Sequence, residues 1–298
     1  MSRIRIGTRG SALALWQAEH VKARLAALGH EVELRVITTT GDRVLDRRLE
    51  AVGGKGAFLK EIEDAMLAAE VDLAVHSLKD VPTVLPDGLS LCAILERADP
   101  RDALLSSGPR LAELPSGATV GTTSLRRQAL VRAERADVVL GDLRGNVDTR
   151  IRRLREGRFD AILLAMAGLS RLGLAGEATE ALDPRRFVPA PGQGAIALEC
   201  RDGDTAVLDA VAPLDHAPSA RAVGAERSFL EALGGGCNVP LGAHAFGADG
   251  QLELVAFVAA ADGEGLLRGE RRGSDPRGLG RALAEDLRSR GADALLGR

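Results

Sequence analysis

The stretch DLAVHSLKDVP, residues 72–82, decides the fold that this sequence predicts. Its first half, DLAVHS, is a short apolar run typical of a buried strand. The preceding run AFLKEIEDAMLAA, residues 57–69, has apolar residues at helical spacing. A helix leading into an apolar strand is the repeating unit of an α/β protein, so we expect a mostly parallel sheet.

The same alternation extends towards the N-terminus. RIRIGT, residues 3–8, alternates like a strand, and Ser11 is a plausible N-cap for a helix over residues 12–28. EVELRVITT, residues 31–39, is again β-rich and alternating. These segments supply further strands and a helix for the first sheet.

A second round of the pattern follows a break. The strand SLCAILE (90–96) is followed by RADPRD (97–102), where a proline and a charge cluster mark a crossing into a second lobe. Strands are then predicted over 118–122 and 137–143, helices over 124–135 and 146–157, and a strand or buried helix start over 159–169. PAPGQGAIALEC, residues 189–200, returns the chain to the first lobe, and two such lobes create a cleft at the carboxyl ends of their strands.

The rhythm changes from about residue 216. A helix over 219–233, a glycine-rich loop over 234–242, a strand meander over 244–273 and a last helix from about Pro276 predict a small α+β domain. We therefore expect three domains: 1–97 with 194–214, 98–193, and 215–298.

Length and composition limit the possible classes. The 298 residues suit two or three domains. No run of 18 apolar residues and no signal-like segment occurs, which favours a cytoplasmic protein without a membrane partner. Three cysteines at no metal-ligand spacing predict neither a disulfide framework nor a metal site. A net charge of -3 and 2% aromatic residues disfavour a nucleic-acid binder.

VHSLKDVP places His76, Ser77, Lys79 and Asp80 directly after a strand. In a parallel sheet that end faces the cleft, so the four polar groups should converge there. Asp80 can then serve as an acid or as an anion that stabilises a cation formed in the reaction. A helix cap with a surface ion pair explains the spacing equally well.

Cys237 lies in GGGCNVP, residues 234–240, where three glycines allow close approach of a ligand. The loop can present a reactive thiol or a covalent anchor, although a small residue in a tight turn fits the pattern at least as well. Cys92 and Cys200 lie inside apolar strands and are expected to be core residues.

Arginines and hydroxyl groups recur at three predicted strand-to-helix corners. The residues are Arg9 and Ser11; Thr123, Ser124, Arg126 and Arg127; and Arg144 and Arg150. Helix N-termini and guanidinium groups bind carboxylates or phosphates. Solvation on the surface explains any single arginine, but the repetition favours binding of an anion with several carboxylates.

Two further glycine-rich segments do not fit nucleotide motifs. VGGKGAF (52–58), which contains Lys55, lacks phosphate-loop spacing and is interpreted as a mobile lid. PGQGAIA (191–197) lacks the third glycine of a dinucleotide site, so we interpret it as an interlobe hinge across which Gln193 hydrogen-bonds.

Taken together, these motifs closely resemble the porphobilinogen deaminase family. In chain order they are TRGSALALWQA (8–18), VGGKGAF (52–58), VHSLKDVP (75–82), ERADPRDA (96–103), GTTSLRRQ (121–128), LRGNVDTR (143–150), PAPGQGA (189–195) and GGGCNVPLG (234–242). The resemblance runs from about residue 4 to the final helix.

The resemblance implies an α/β fold with two periplasmic-binding-protein-like lobes and a third, smaller α+β C-terminal domain that carries the cofactor cysteine. It implies a dipyrromethane cofactor joined to Cys237 by a thioether. Four porphobilinogen molecules are added to it head to tail with loss of ammonia, and hydroxymethylbilane is released. A monomeric transferase of haem biosynthesis is expected.

Roles follow at the matching positions. Asp80 matches the catalytic aspartate. The cofactor would be held by Ser77, Lys79, Asp80, Ser124, Arg126 and Arg127, and the substrate by Arg9, Ser11, Lys55, Arg144, Arg150, Arg171 and Gln193. Ala12 and Thr123 depart from the family's usual proline and serine, which affects only fine positioning.

A non-enzymatic two-lobed receptor for a carboxylated small molecule is the alternative. The lack of a signal-like segment and the Cys237 loop disfavour it.

Overall fold

The structure, a computed structural model, describes residues 2–40, 59–235, 239–247, 250–260 and 263–297. The chain divides into two compact units. The first unit comprises Met1–Ala98 and Ala195–Ala220, and the second unit comprises Asp99–Gly194 and Arg221–Arg298. The predicted division into three domains with boundaries near 97, 193 and 214 stays a prediction.

The described strands and helices follow the predicted alternation. The strands are β1 (Arg3–Thr8), β2 (Glu31–Val36), β3 (Leu73–Ser77), β4 (Leu89–Ile94), β5 (Asp102–Ser106), β6 (Thr119–Gly121), β7 (Val139–Gly141), β8 (Ala161–Ala165), β9 (Glu180–Ala181), β10 (Ile196–Arg201), β11 (Leu241–Phe246), β12 (Leu252–Ala259) and β13 (Leu266–Gly273). The helices are α1 (Ala12–Ala27), α2 (Lys60–Leu67), α3 (Leu125–Glu134), α4 (Val147–Arg155), α5 (Met166–Arg171), α6 (Thr205–Val211), α7 (Ala217–Ala232), α8 (Pro276–Ser289) and α9 (Ala292–Leu295).

The first unit contains a five-stranded sheet in the order β2-β1-β3-β10-β4. Strand β1 runs parallel to β2 and β3, whereas β10 runs antiparallel to both of its neighbours. Alternate residues of β3 therefore face two cores: Leu73 packs in a cluster with α1, and Ala74 packs with Ile62 and Met66 of α2. The sheet is therefore mixed: two of its four described strand pairs are parallel, and the expected parallel arrangement holds for β2, β1 and β3 but not for β10.

The second unit contains a second five-stranded sheet, in the order β7-β6-β8-β5-β9. Strand β6 runs parallel to β7 and β8, and β5 runs antiparallel to β8 and β9. Strand β5 was not predicted, because its first residue, Asp102, belongs to the charged break. A Cβ atom on Gly121 or Gly141 would lie 2.9 or 2.7 Å from the Phe159 ring, so these strand ends require glycine.

The C-terminal part forms an antiparallel three-stranded sheet in the order β11-β12-β13. Leu283 and Leu287 of α8 pack in one core with Leu254 and Val258 of β12. This sheet confirms the expected small α+β region, which belongs to the second unit.

No helix in the described part of the chain combines the length and apolar character needed to cross a membrane. As expected, Cys200 is buried in β10, and Cys92 is partly buried in β4.

Candidate active site

Asp80 ends a single 3-10 turn, Leu78–Asp80, that follows β3 directly. The Leu78 side chain is only 1% exposed, and its backbone N–H donates to the Ala195 carbonyl oxygen at 3.0 Å. The Val81 N–H closes the turn onto the Leu78 carbonyl oxygen at 3.0 Å. Asp80 and Lys79, both half-buried, are therefore held at the carboxyl end of the strand by an anchored backbone.

Ser77 is held by a residue that sequence analysis missed. The Gln17 amide Nε2 donates to Ser77 Oγ at 2.8 Å, and Gln17 is only 2% exposed. Gln17 lies four residues before Val21 on the buried face of α1. A glutamine at a core position of an amphipathic helix needs a polar partner, and this was the available signal.

The Arg9 corner lies on the same edge of the first sheet. Arg9 follows the last residue of β1, and β1 is the parallel neighbour of β3, so the two carboxyl ends lie side by side. Ser11 is the N-cap of α1, as predicted, and its Oγ accepts from the Ala14 N–H at 3.3 Å. Lys55 lies outside the described residues.

Behind this edge lies a buried ionisable group of three residues. His76 Nε2 lies 2.8 Å from Glu199 Oε2, and both side chains are nearly inaccessible. Strand alternation places His76 on the α2 face of the sheet. The expectation that His76 converges with Ser77, Lys79 and Asp80 is therefore wrong. Burial, with the nearby charge of Glu199, raises the pKa of Glu63 on α2 to about 7, while His76 opposes this shift.

In the second unit, Ser124 is the N-cap of α3, and its Oγ accepts from the Arg127 N–H. Arg126 and Arg127 are buried and share one carboxylate, that of Asp102. Nη1 and Nη2 of Arg126 lie 2.6 and 3.0 Å from its two oxygens. Nη2 and Nε of Arg127 lie 2.7 and 3.0 Å from Oδ1. The corner is thus a buried ionic cluster rather than a surface patch.

Asp102, which is 0% exposed, was not among the predicted site residues. Burial alone would raise its pKa, but the charges of Arg126 and Arg127 and hydrogen bonds from Arg126 and Gln193 hold the pKa well below the usual range. The available signal was a charged residue at the start of the apolar run DALLS, since a buried carboxylate requires cationic partners.

Gln193 belongs to the same cluster. Its Nε2 donates to Asp102 Oδ1 at 3.0 Å and to the Pro100 carbonyl oxygen at 2.7 Å. The structure therefore connects the predicted hinge PAPGQGA with the predicted crossing ERADPRDA inside the second unit.

The other arginines follow the parallel strands of the second sheet. Arg144 lies after β7, and Arg150, one turn into α4, donates from Nε to the Gly145 carbonyl oxygen at 2.7 Å. Arg171 at the end of α5, which follows β8, donates to the Gly194 carbonyl oxygen at 2.7 Å. Burial lowers the pKa of Arg171 to about 10, which leaves it cationic at neutral pH. One edge of this sheet is therefore rich in guanidinium groups.

Cys237 lies outside the described residues, but the elements on either side of it are held together. Glu226 of α7 accepts from the Ala245 N–H of β11 at 2.8 Å and from the Gly192 N–H at 2.7 Å. Its carboxylate is fully buried. The helix before the loop and the strand after it are thus fixed to each other and to the hinge segment.

Two family models match the chain. Residues 4–209 match "Porphobilinogen deaminase, dipyromethane cofactor binding domain", and residues 220–289 match "Porphobilinogen deaminase, C-terminal domain". Because the first model describes the cofactor domain of an enzyme, the alternative of a non-enzymatic receptor is not favoured.

Curated relatives agree over nearly the whole chain. A porphobilinogen deaminase of Syntrophobacter fumaroxidans is 53% identical over 98% of this chain and 96% of its own length. A porphobilinogen deaminase of Thiobacillus denitrificans is 50% identical over 99% of this chain and 98% of its own length. A solved substrate binding protein of an amino acid ABC transporter aligns with 71% of this chain and 91% of its own at 15% identity and a TM-score of 0.38. On the family models and these relatives, the chain belongs to the porphobilinogen deaminase family.

Proposed function

We propose that Asp80 is the catalytic residue of this enzyme and that Cys237 is the attachment point of its cofactor. The enzyme is a transferase of tetrapyrrole biosynthesis with hydroxymethylbilane synthase activity, which uses a dipyrromethane cofactor. It deaminates four porphobilinogen molecules and joins them head to tail. We further propose that it acts as a cytoplasmic monomer on this small-molecule substrate.

The residues present fit the dipyrromethane group. Each pyrrole of the group carries an acetate and a propionate, and the second sheet presents guanidinium groups at the ends of its parallel strands. Arg126, Arg127 and Ser124 would hold cofactor carboxylates there, and Ser77 and Lys79 would contact it from the β3 edge. When bound, the cofactor supplies the pyrrole end to which substrate units are added.

Asp80 provides the charge that the chemistry requires. Loss of ammonia from porphobilinogen leaves an electron-poor cation on the substrate, which a nearby carboxylate stabilises. The protonated carboxyl can first give a proton to the leaving amine. Because the turn is anchored through the buried Leu78 side chain and backbone, Asp80 does not have to be ordered at each addition.

The remaining arginines bind the substrate side of the chain. Arg9 and Ser11 in the first unit, and Arg144 and Arg150 in the second, would bind carboxylates of the incoming or terminal ring. A guanidinium binds a carboxylate through two parallel hydrogen bonds, which fixes orientation as well as charge. Arg171, Lys55 and Gln193 are proposed to assist substrate binding and movement.

One observation carries the assignment of Asp80: it ends an anchored turn at a parallel strand's carboxyl end, within the segment that matches the cofactor binding domain. Asp80→Asn keeps the shape but removes the charge and the acid. We expect kcat for porphobilinogen consumption to fall by about 100- to 10,000-fold. Asp87→Asn, an exposed carboxylate just before β4, is the control and should keep native kcat. An Asp80→Asn variant with kcat within about twofold of native would contradict the assignment.

A further inference from the structure

The Asp102 carboxylate accepts five hydrogen bonds from three side chains. Oδ2 accepts from Arg126 Nη1, and Oδ1 accepts from Arg126 Nη2, from Nε and Nη2 of Arg127 and from Gln193 Nε2, all between 2.6 and 3.0 Å. Asp102 itself is fully buried. This carboxylate is therefore the common point of the whole cluster.

The two guanidinium groups are also fixed by backbone. Arg126 Nη1 donates to the Val188 carbonyl oxygen at 2.8 Å, and Arg127 Nη1 donates to the Leu163 carbonyl oxygen of β8 at 2.8 Å. Each side chain is thus held between a carboxylate and a carbonyl group. Neither guanidinium can rotate without breaking several charge-assisted hydrogen bonds.

The two arginines bind Asp102 through different edges of their guanidinium groups. Arg126 binds it through Nη1 and Nη2, the end of the guanidinium fork, whereas Arg127 binds it through Nε and Nη2, the side of the fork. A guanidinium has five N–H groups and two bidentate edges. Arg126 therefore keeps its Nε–Nη2 edge directed away from Asp102, in a geometry suited to a second carboxylate.

Stability alone does not account for such a cluster. A buried ionic group is often no more stabilising than well-packed apolar side chains of the same volume, because its desolvation is costly. The burial of this cluster is better explained by a ligand that binds the edge of the Arg126 guanidinium that the cluster orients.

We propose that Asp102 is a positioning residue for the dipyrromethane cofactor: it fixes Arg126 by one edge so that the other edge binds a cofactor carboxylate. This inference rests on the proposed role of Arg126 in cofactor binding. Asp102 does not touch the cofactor, and it acts through the arginines.

A chain of contacts connects this cluster with the helix that precedes the cofactor cysteine. Gln193 donates to Asp102, and the adjacent Gly192 N–H donates to Glu226 of α7. Helix α7 ends at Ala232, five residues before Cys237. The helix that leads to the proposed attachment residue and the proposed carboxylate contact are therefore linked by one connected set of buried polar groups.

The test measures cofactor loading rather than turnover. Apo-protein is produced in cells that make no porphobilinogen and is then mixed with porphobilinogen, and intact-protein mass spectrometry follows the added mass with time. We expect Asp102→Asn to load at least about tenfold more slowly than the native chain, because one well-oriented charged contact with the cofactor is lost. Gln193→Ala removes one hydrogen bond to the Asp102 carboxylate and one to the Pro100 carbonyl oxygen, keeps both ion pairs and should load about threefold more slowly.

Two control variants separate positioning from stability. Asp99 lies three residues before Asp102 and forms an ion pair with Arg101. Asp99→Asn removes this carboxylate and should load at the native rate. Leu104→Ala creates a cavity in the same strand as Asp102, without a polar contact, and should load at the native rate despite its lower melting temperature.

The outcomes are distinct. Loading of folded Asp102→Asn within about twofold of the native rate overturns the proposal, as does equally slow loading of Leu104→Ala. If Asp102→Asn does not fold, Gln193→Ala decides, and native loading by that variant overturns the proposal. A native chain that acquires no mass contradicts the cofactor assignment itself, whereas native loading beside slow loading of Asp102→Asn supports both.

Discussion

The two five-stranded sheets have the same strand layout but opposite buried chemistry. In both orders, β2-β1-β3-β10-β4 and β7-β6-β8-β5-β9, the fourth strand runs antiparallel to its neighbours and carries a fully buried acid. On β10 this acid is Glu199, which contacts His76 and lies near Glu63. On β5 it is Asp102, which contacts two arginines.

The difference shows that burial alone raises the pKa of an acid and that neighbouring cations can reverse this shift. Beside Arg126 and Arg127, the pKa of Asp102 is lowered although burial opposes this. Burial, together with the nearby charge of Glu199, raises the pKa of Glu63 to about 7. The acid of the second sheet therefore fixes cations, whereas beside the first sheet Glu63 of α2 can carry a proton near neutral pH.

The largest expected effect distinguishes the two buried acids. Asp102→Asn leaves two buried guanidinium groups without a carboxylate and should lower the free energy of unfolding by about 3–5 kcal/mol. Glu199→Gln keeps a hydrogen-bond acceptor for His76 and removes a charge that lies near Glu63, so it should cost no more than about 1 kcal/mol. Urea unfolding at pH 7 measures both. Equal losses would remove the distinction between the sheets.

A smaller effect concerns pH. Because the pKa of Glu63 is above its ordinary value of 4.5, ionisation of Glu63 destabilises the fold. Stability from this group is complete below about pH 4.5 and is lost as the pH rises towards 7. Glu63→Gln should therefore match the native chain at about pH 4 and exceed its free energy of unfolding by about 2 kcal/mol at about pH 8.

Urea unfolding at the two pH values makes this comparison, and Glu70→Gln, an exposed glutamate after α2, is the control. A Glu63→Gln variant less stable than the native chain at pH 8 would show that Glu63 is stabilised as an anion.

The smallest effect should be the same in both sheets. Ser11 caps α1 and Ser124 caps α3, each through its Oγ and a backbone N–H. Alanine at either position should lower the free energy of unfolding by about 1 kcal/mol, and asparagine should restore it. Melting temperatures of the four variants test this. A loss confined to one sheet would show that one serine does not act as a cap.

Sequence periodicity predicted most of the fold because the strands and helices of both sheets bury regular apolar faces. Ser11 was predicted as a cap from its position alone, and the structure confirms it. Strand β5 was missed because Asp102 made its start appear to be part of a charged loop. Its charge is compensated by Arg126 and Arg127, which lie more than 20 positions later in the sequence.

The same limit applies to the candidate site. Residues next to motifs, such as Asp80 and Ser124, could be identified because local spacing determines where they lie. Gln17, Asp102 and Glu199 could not, because each is defined by a partner from a distant strand or helix. A polar residue within an apolar pattern indicates that a partner exists, but only the fold identifies that partner.

The central claim is that the chain carries a dipyrromethane cofactor on Cys237, and intact-protein mass spectrometry of the purified native chain tests it most directly. We predict an added mass equal to two linked pyrrole units, which is absent from Cys237→Ser and retained in Cys92→Ser, a strand cysteine used as the control. An active native chain of unmodified mass, or a Cys237→Ser chain that keeps the added mass, would contradict it.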